Sequence, residues 1–219
     1  MELRGLADFV LAHYDNETHQ IITTSGSTST NPFTVNLSTS LGSTQGNITG
    51  LSTAPEKVYG SDAVAEQTIG VLQPSVALAA NDIPHEIMDE YSGLVADKVN
   101  GGYAGKSGVL VEGGLILHSK NRTGDVDAYI AFPSGLYTPG DLTLGTNQQS
   151  PTVAHDALTF SVQARASDHL VYQKFYSDDE DFDYEKMLAF IFAGYEAKNT
   201  STTTTTNPTT TTTTTQAQG

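Results

Sequence analysis

The chain contains no cysteine among its 219 residues. That absence removes disulfide frameworks, thiolate metal sites and cysteine nucleophiles together. Basic side chains are scarce as well: 10 Lys and Arg stand against 25 Asp and Glu, for a net charge of −15. Proteins that grip nucleic acid neutralise phosphates with Lys and Arg, so a few scattered cations argue against DNA gripping and against anionic membranes. No apolar run approaches the roughly 20 residues that span a bilayer. The first residues, Met1-Glu2-Leu3-Arg4-Gly5, lack a basic stretch followed by an apolar one, so no export signal is read there. A chain made, folded and used inside the synthesising cell is the expectation. The acidity serves solubility.

Near the C-terminus, two threonine runs at 202–206 and 209–215 flank Asn207-Pro208. Nothing in 199–219 buries useful apolar area, so ordering entropy goes unopposed and a disordered low-complexity tail is expected. The preceding residues, 1–198, suffice for one domain that buries about 70% of its unfolded surface.

Within that domain, residues 157–198 carry the clearest pattern. Leu158, Phe160, Val162 and Ala164 alternate with Thr159, Ser161, Gln163 and Arg165, the period of a half-buried antiparallel strand. Leu188, Ile191, Phe192 and Tyr195 then recur at helical spacing and form one docking stripe. Asp181, Asp183 and Glu185 crowd the first turn of this helix and Lys198 stands at its end, both favourable to the helix dipole.

Upstream, 9–14 and 19–23 read as strands joined by Asp15-Asn16-Glu17, and 25–31 as a Ser/Thr/Gly loop. Phe33, Val35 and Leu37 alternate as another strand, 41–50 is rich in turn residues, and 57–59 is a short strand. Val76, Leu78 and Ala80 share a strand face, with Pro74 implying an edge or bulge. Asn81 or Asp82 is placed to cap a short helix over 84–91, ended by Gly93. Beyond the Gly-rich loop at 93–108, Val109, Val111, Leu115 and Leu117 alternate around Gly113, which suggests a bulge. Val126, Ala128, Ile130 and Phe132 form the next strand, and 133–153 reads as one long polar loop of the kind that serves function or contact. Antiparallel strands with one longer helix imply a mainly β fold, a sandwich or barrel with helix cover.

Several motifs imitate chemistry. Gly101-Gly102-Tyr103-Ala104-Gly105-Lys106-Ser107 resembles a phosphate loop, but Asn100 stands where the first Gly belongs and the following residues are β-patterned. The acidic run 177–183 lacks the spacing of a calcium loop, and its place before a helix assigns it to capping. His13, His19, His85, His118, His155 and His169 come without a nucleophile elbow or a zinc pair. Asn16, Asn36, Asn47, Asn121 and Asn199 head Asn-x-Ser/Thr triplets that chance explains in so Ser/Thr-rich a chain. No catalytic, cofactor or metal site is expected, and the chain reads as a non-enzyme.

The wording of TFSVQARASD followed by DFDYEKMLAFIF, and of 47–59, 68–80 and the short helix ending near Tyr91-Ser92-Gly93-Leu94, resembles siphophage major tail proteins, the tail-tube subunits of phages of lactic-acid bacteria. The resemblance spans about 6–196. It implies a two-sheet β-sandwich with a flanking helix, in hexameric rings stacked into a non-contractile tube whose lumen is a continuous β-barrel. It also implies contacts with a tape measure protein, a tail terminator and a distal tail protein, passage of genomic DNA without specific binding, no membrane partner, assembly in the host cytoplasm and residence in the virion tail. On that reading 1–8, 24–32, 41–62 and 134–153 are candidate bridges between rings, and the threonine tail lies outside the tube. Glu66, Glu112, Asp125 and Asp127, on polar strand faces, become the candidate acidic lining of the lumen, repelling phosphate over about 8 Å at physiological salt. Two other readings remain open: a secreted or cell-surface β-sandwich with a mucin-like stalk, and a tail terminator or head–tail completion protein.

Overall fold

In the computed structural model, the described residues are 2–22, 31–68, 70–141 and 156–197. The elements run in the order β1 (Leu3–His13), β2 (Phe33–Val35), α1 (Leu37–Ser40), β3 (Ser43–Thr49), β4 (Glu56–Gly60), β5 (Ala63–Thr68), β6 (Ser75–Ala80), α2 (His85–Tyr91), β7 (Leu94–Ala96), β8 (Tyr103–Gly105), β9 (Val111–Asn121), β10 (Asp127–Pro139), β11 (Asp156–Val162), β12 (Gln173–Tyr176) and α3 (Tyr184–Ile191). Seven strands pair in the order β2-β1-β9-β10-β11-β6-β3, β12 adds to β10, and every pairing is antiparallel. Two hairpins, β4-β5 and β7-β8, stand outside this sheet.

The sheet curls until its own concave face closes on itself. Phe9 and Leu11 of β1 share a cluster with Val76 and Leu78 of β6 and with Leu158 and Phe160 of β11, although these strands lie at opposite flanks of the sheet. At the seam, β3 meets β1 side by side: the Ser43 hydroxyl donates to the Ala7 carbonyl at 3.3 Å. The two layers of the expected sandwich are thus halves of one rolled sheet. α2 plugs the roll with Ile87 and Tyr91, whose ring meets Tyr137 edge-on at 4.9 Å between centroids. Each fully buried side chain of this size stabilises the fold by about 1.5–3 kcal/mol.

A second cluster covers the opposite face of β1, β9 and β10. Val10, Ala12, Ile116 and Ala131 point there, and α3 lays Met187, Leu188, Ile191 and Phe192 over them. Burial from both sides explains the continuous buried runs at 9–12 and 113–117, whereas β6, covered on one side, alternates strictly. The glycine in β9 has a steric reason. A Cβ on Gly113 would sit 2.0 Å from the Ala12 carbonyl oxygen. The bulge expected near it lies on the partner strand, where the β10 register shifts between Phe132 and Gly135, opposite Gly113.

Several sequence expectations are corrected. The long loop at 133–153 is strand as far as Pro139, because Gly135 to Pro139 pair with β11 on one side and Gly135 to Tyr137 with β9 on the other; residues 142–155 lie outside the description. The turn-rich stretch 41–50 contains β3, whose side chains are mostly polar because only Gly46 and Ile48 face inward. Leu37 does not continue a strand: Asn36 accepts from the Ser38 and Thr39 amides and starts the single turn of α1. α2 begins after Pro84 with no side-chain cap, since Asn81 donates instead to the Leu41 carbonyl at 2.9 Å. α3 stops at Ile191 with Phe192 extended, which leaves Tyr195 beyond the helix, and Lys198 lies outside the described residues. Within 1–8, a candidate bridge, Leu3, Leu6 and Asp8 pair with β9 across two register shifts.

Candidate lumen and assembly surfaces

Asp127 opens β10 and meets a cation-rich neighbourhood. Its carboxylate is 2.9 Å from His118 Nε2 and 3.3 Å from Lys120 Nζ. The other ring nitrogen of His118 is 2.9 Å from Asp8 of β1. The imidazole stacks on Tyr129 at 4.6 Å, and Tyr129 stacks in turn on Phe182, just before α3. Burial opposes charging of His118, but the hydrogen bonds and charges of Asp8 and Asp127 outweigh it and hold its pKa above the usual value. The hydrogen bond from His118 correspondingly holds Asp127 below the usual carboxylate range. Burial pushes Tyr129 up to about 12. This side of the sheet is a satisfied ionic cluster rather than a bare acidic wall.

The other acidic candidates are scattered. Glu112 accepts from or is bridged by His19 at 2.7 Å, and eight residues along β9 separate it from Lys120, the partner of Asp127, or about 27 Å of strand. Asp125 is exposed in the β9–β10 turn, where it accepts from the Asn121 amide at 2.6 Å and from the Thr123 hydroxyl, both lowering its pKa. Glu66 is exposed in the detached β4-β5 hairpin, opposite Val58. The four do not form one patch.

The surface that sequence reasoning missed is the open convex face of β3, β6 and β11. Asn47, Ala77 and Thr159 line up across these strands, as do Thr49, Ser75 and Ser161. Thr138 of β10 continues the first row, and Leu136 continues the second. None of these positions carries a charge. Glu112, beside Leu136, is the single acidic candidate at its border. The signal was present as the small polar residues alternating with Val76, Leu78, Leu158 and Phe160, but it reads as ordinary solvent-facing sheet until the strands are ordered.

Exposed apolar side chains concentrate off the sheet. Val58, Tyr59 and Val64 stand on the β4-β5 hairpin, and Val95, Val99, Tyr103, Val109 and Leu110 surround the β7-β8 hairpin. An isolated two-stranded hairpin is marginal in water, so these elements present surface suited to another chain.

The motifs that imitated chemistry resolve locally. The phosphate-loop look-alike is the tip and second strand of the β7-β8 hairpin, with Asp97 accepting from the Val99 and Asn100 amides and no helix following. Asp183 caps α3 by accepting from the Lys186 amide at 3.1 Å. His13 pairs with Glu90 at 2.8 Å, and His85 packs against Tyr103. Asp168 is held by Arg165 at about 2, far below its usual range, so it is engaged by a cation rather than by the adjacent His169. His155 lies outside the described residues.

A family model described as phage tail tube protein matches residues 1–200. No curated protein matches the chain.

Proposed function

The chain belongs to the phage tail tube protein family, and we propose that six copies form a ring and that rings stack into the hollow, non-contractile tube through which DNA leaves the particle. Phage tail tube proteins are structural, so the chain is a building block of the phage tail and not an enzyme. The virion reading therefore replaces the cell-surface one. The observation that carries the ring proposal, beside family membership, is the pair of detached hairpins with their exposed apolar side chains.

In this reading the uncharged face of β3, β6 and β11 contributes to the lumen wall. Hydroxyls, amides and methyls offer phosphates no cation to pair with and bases no aromatic platform. Glu66 and Asp125, both exposed, add repulsion, while Asp127 has its charge opposed by His118 and Lys120 and Glu112 is hydrogen-bonded to His19. The domain covers 1–198, and the threonine tail at 199–219 lies on the outer surface, where it leaves the channel clear. A tape measure protein inside, a terminator at one end and a distal tail protein at the other complete the assembly, built in the host cytoplasm.

Negative-stain electron microscopy of the purified full chain over a range of concentrations tests this. Stacked hollow rings are expected. Isolated rings would indicate a terminator-like role, and monomers at every concentration would overturn the ring proposal. Within tubes, Ser161→Lys should slow DNA ejection; unchanged ejection would remove the neutral face from the lumen. Limited proteolysis of intact tubes should release the tail.

A further inference from the structure

We propose that the β4-β5 hairpin of one copy docks in an acidic-lined groove beside α2 of a second copy, an inference that rests on the self-assembly proposed above. The hairpin pairs with no other described strand. Its turn residues Ser61 and Asp62 both have left-handed φ, 52° and 62°, the geometry of a tight type I′ turn that fixes the hairpin's twist. Tyr59 lies directly opposite Val64, and Lys57 precedes it by two along β4, across a register shift between Val58 and Tyr59. Tyr59 is 70% exposed and Val64 45%. Lys57 forms no ion pair with a described residue. The hairpin therefore carries, within three residues of β4 and the residue paired to them, a cation without an ion pair among the described residues, an exposed aromatic and an exposed branched aliphatic side chain.

The complementary surface is a groove of about 730 Å³. Ile83, Met88 and Leu94 give it apolar lining, Asp82, Asp89 and Asp141 add carboxylates, and no Lys or Arg lines it among the described residues. A fourth carboxylate, Asp156, is committed to the Ile83 amide at 2.7 Å. No residue of 56–68 lines the groove of its own chain. The other detached hairpin is part of the seat: Leu94 of β7 lines the groove and Tyr103 of β8 packs on His85 at its edge. Lys57, Tyr59 and Val64 of β4-β5 complement this acidic and apolar lining, which favours that hairpin as the occupant. Apolar burial supplies the attraction, and Lys57 against the acidic lining sets orientation.

The cysteine-free chain makes the test direct. Purified Tyr59→Cys and Met88→Cys chains are mixed, allowed to assemble and oxidised; a covalent dimer containing one of each is expected, lost when assemblies are first dissociated in denaturant. Separately, Lys57→Glu and Asp89→Lys should each lower the assembled fraction about tenfold through like-charge contact, and the two together in one chain should restore it to within about threefold. Urea unfolding below the assembly concentration confirms that each variant folds. Tubes from the unaltered chain, with either no cross-link or no rescue by the charge swap, would overturn the docking while leaving the ring proposal intact. Monomers at all concentrations would overturn both. A rapid cross-link within one chain between Met88→Cys and Gln148→Cys at monomer concentrations would assign the groove to the chain's own 142–155 segment and also overturn the proposal.

Discussion

The rolled sheet and the detached hairpins treat apolar side chains in opposite ways. In the sheet, Phe9, Leu11, Phe132 and Phe160 on one side and Ile191 and Phe192 on the other are fully buried, within a single chain. On the hairpins, Tyr59, Val64, Val95 and Val99 remain in solvent. The sheet is held by what it buries. Among the described residues, β4-β5 is held mainly by its ladder and turn, and β7-β8 adds contacts to α2 through Tyr103 and His85. In the proposed tube, the difference would separate residues that build the subunit from residues that build the assembly.

Substitutions break this comparison in a definite order, measured by urea unfolding of dilute monomer. Gly113→Val drives a side chain into the Ala12 carbonyl and into the β1–β9 ladder, and should cost more than about 3 kcal/mol or abolish folding. Phe160→Ala, in the concave core, should cost about 3–5 kcal/mol. Removing the α3 cap with Asp183→Ala should cost about 1 kcal/mol. Tyr59→Ser should change monomer stability by no more than about 0.5 kcal/mol while strongly reducing assembly. A large loss of monomer stability from Tyr59→Ser, or none from Phe160→Ala, would erase the distinction.

His118 adds a pH test on the sheet side. Its pKa is raised in the folded protein, so its contribution is fully present below the unfolded value near 6.5 and is lost as pH rises through the folded one. Asp127 works the other way: its pKa is depressed, and its contribution fades only as the solution becomes acid enough to protonate it. Between these limits the cluster ties β1, β9, β10 and, through Tyr129 and Phe182, the approach to α3. His118→Gln should lower stability by about 1 kcal/mol at pH 6, given partial exposure of the carboxylates, and by less at pH 9. An equal loss at both pH values would mean that the ring stacking, not the charge, is what matters.

Legibility followed the same division. The strand at 158–162 and the stripe of α3 were readable because each buries one side, and one-sided burial writes a period into the residues. β3 was missed because its inward positions, Gly46 and Ile48, are too few to outweigh Ser, Thr, Gln and Asn. The extension of β10 was missed because Pro133 masks a bulge that only its partner strands reveal. Strand parity says nothing of which cations lie beside a carboxylate, and only the structure brings Lys120 and His118 to Asp127. The neutral face reads as ordinary solvent-facing sheet until β6 stands between β11 and β3.

By itself the sequence determined the local terms: a mainly β chain, a capped helix before a low-complexity end, no cysteine and a strongly acidic balance. Those properties depend on neighbours within a few residues, or on composition. Tertiary structure alone decided that the layers are halves of one rolled sheet, that Asp8, His118 and Asp127 meet, and that the free apolar side chains collect on two hairpins. Each of those outcomes depends on strand order and register, which join residues up to about a hundred positions apart, as Asp8 and His118 are, and no short-range pattern specifies such pairings.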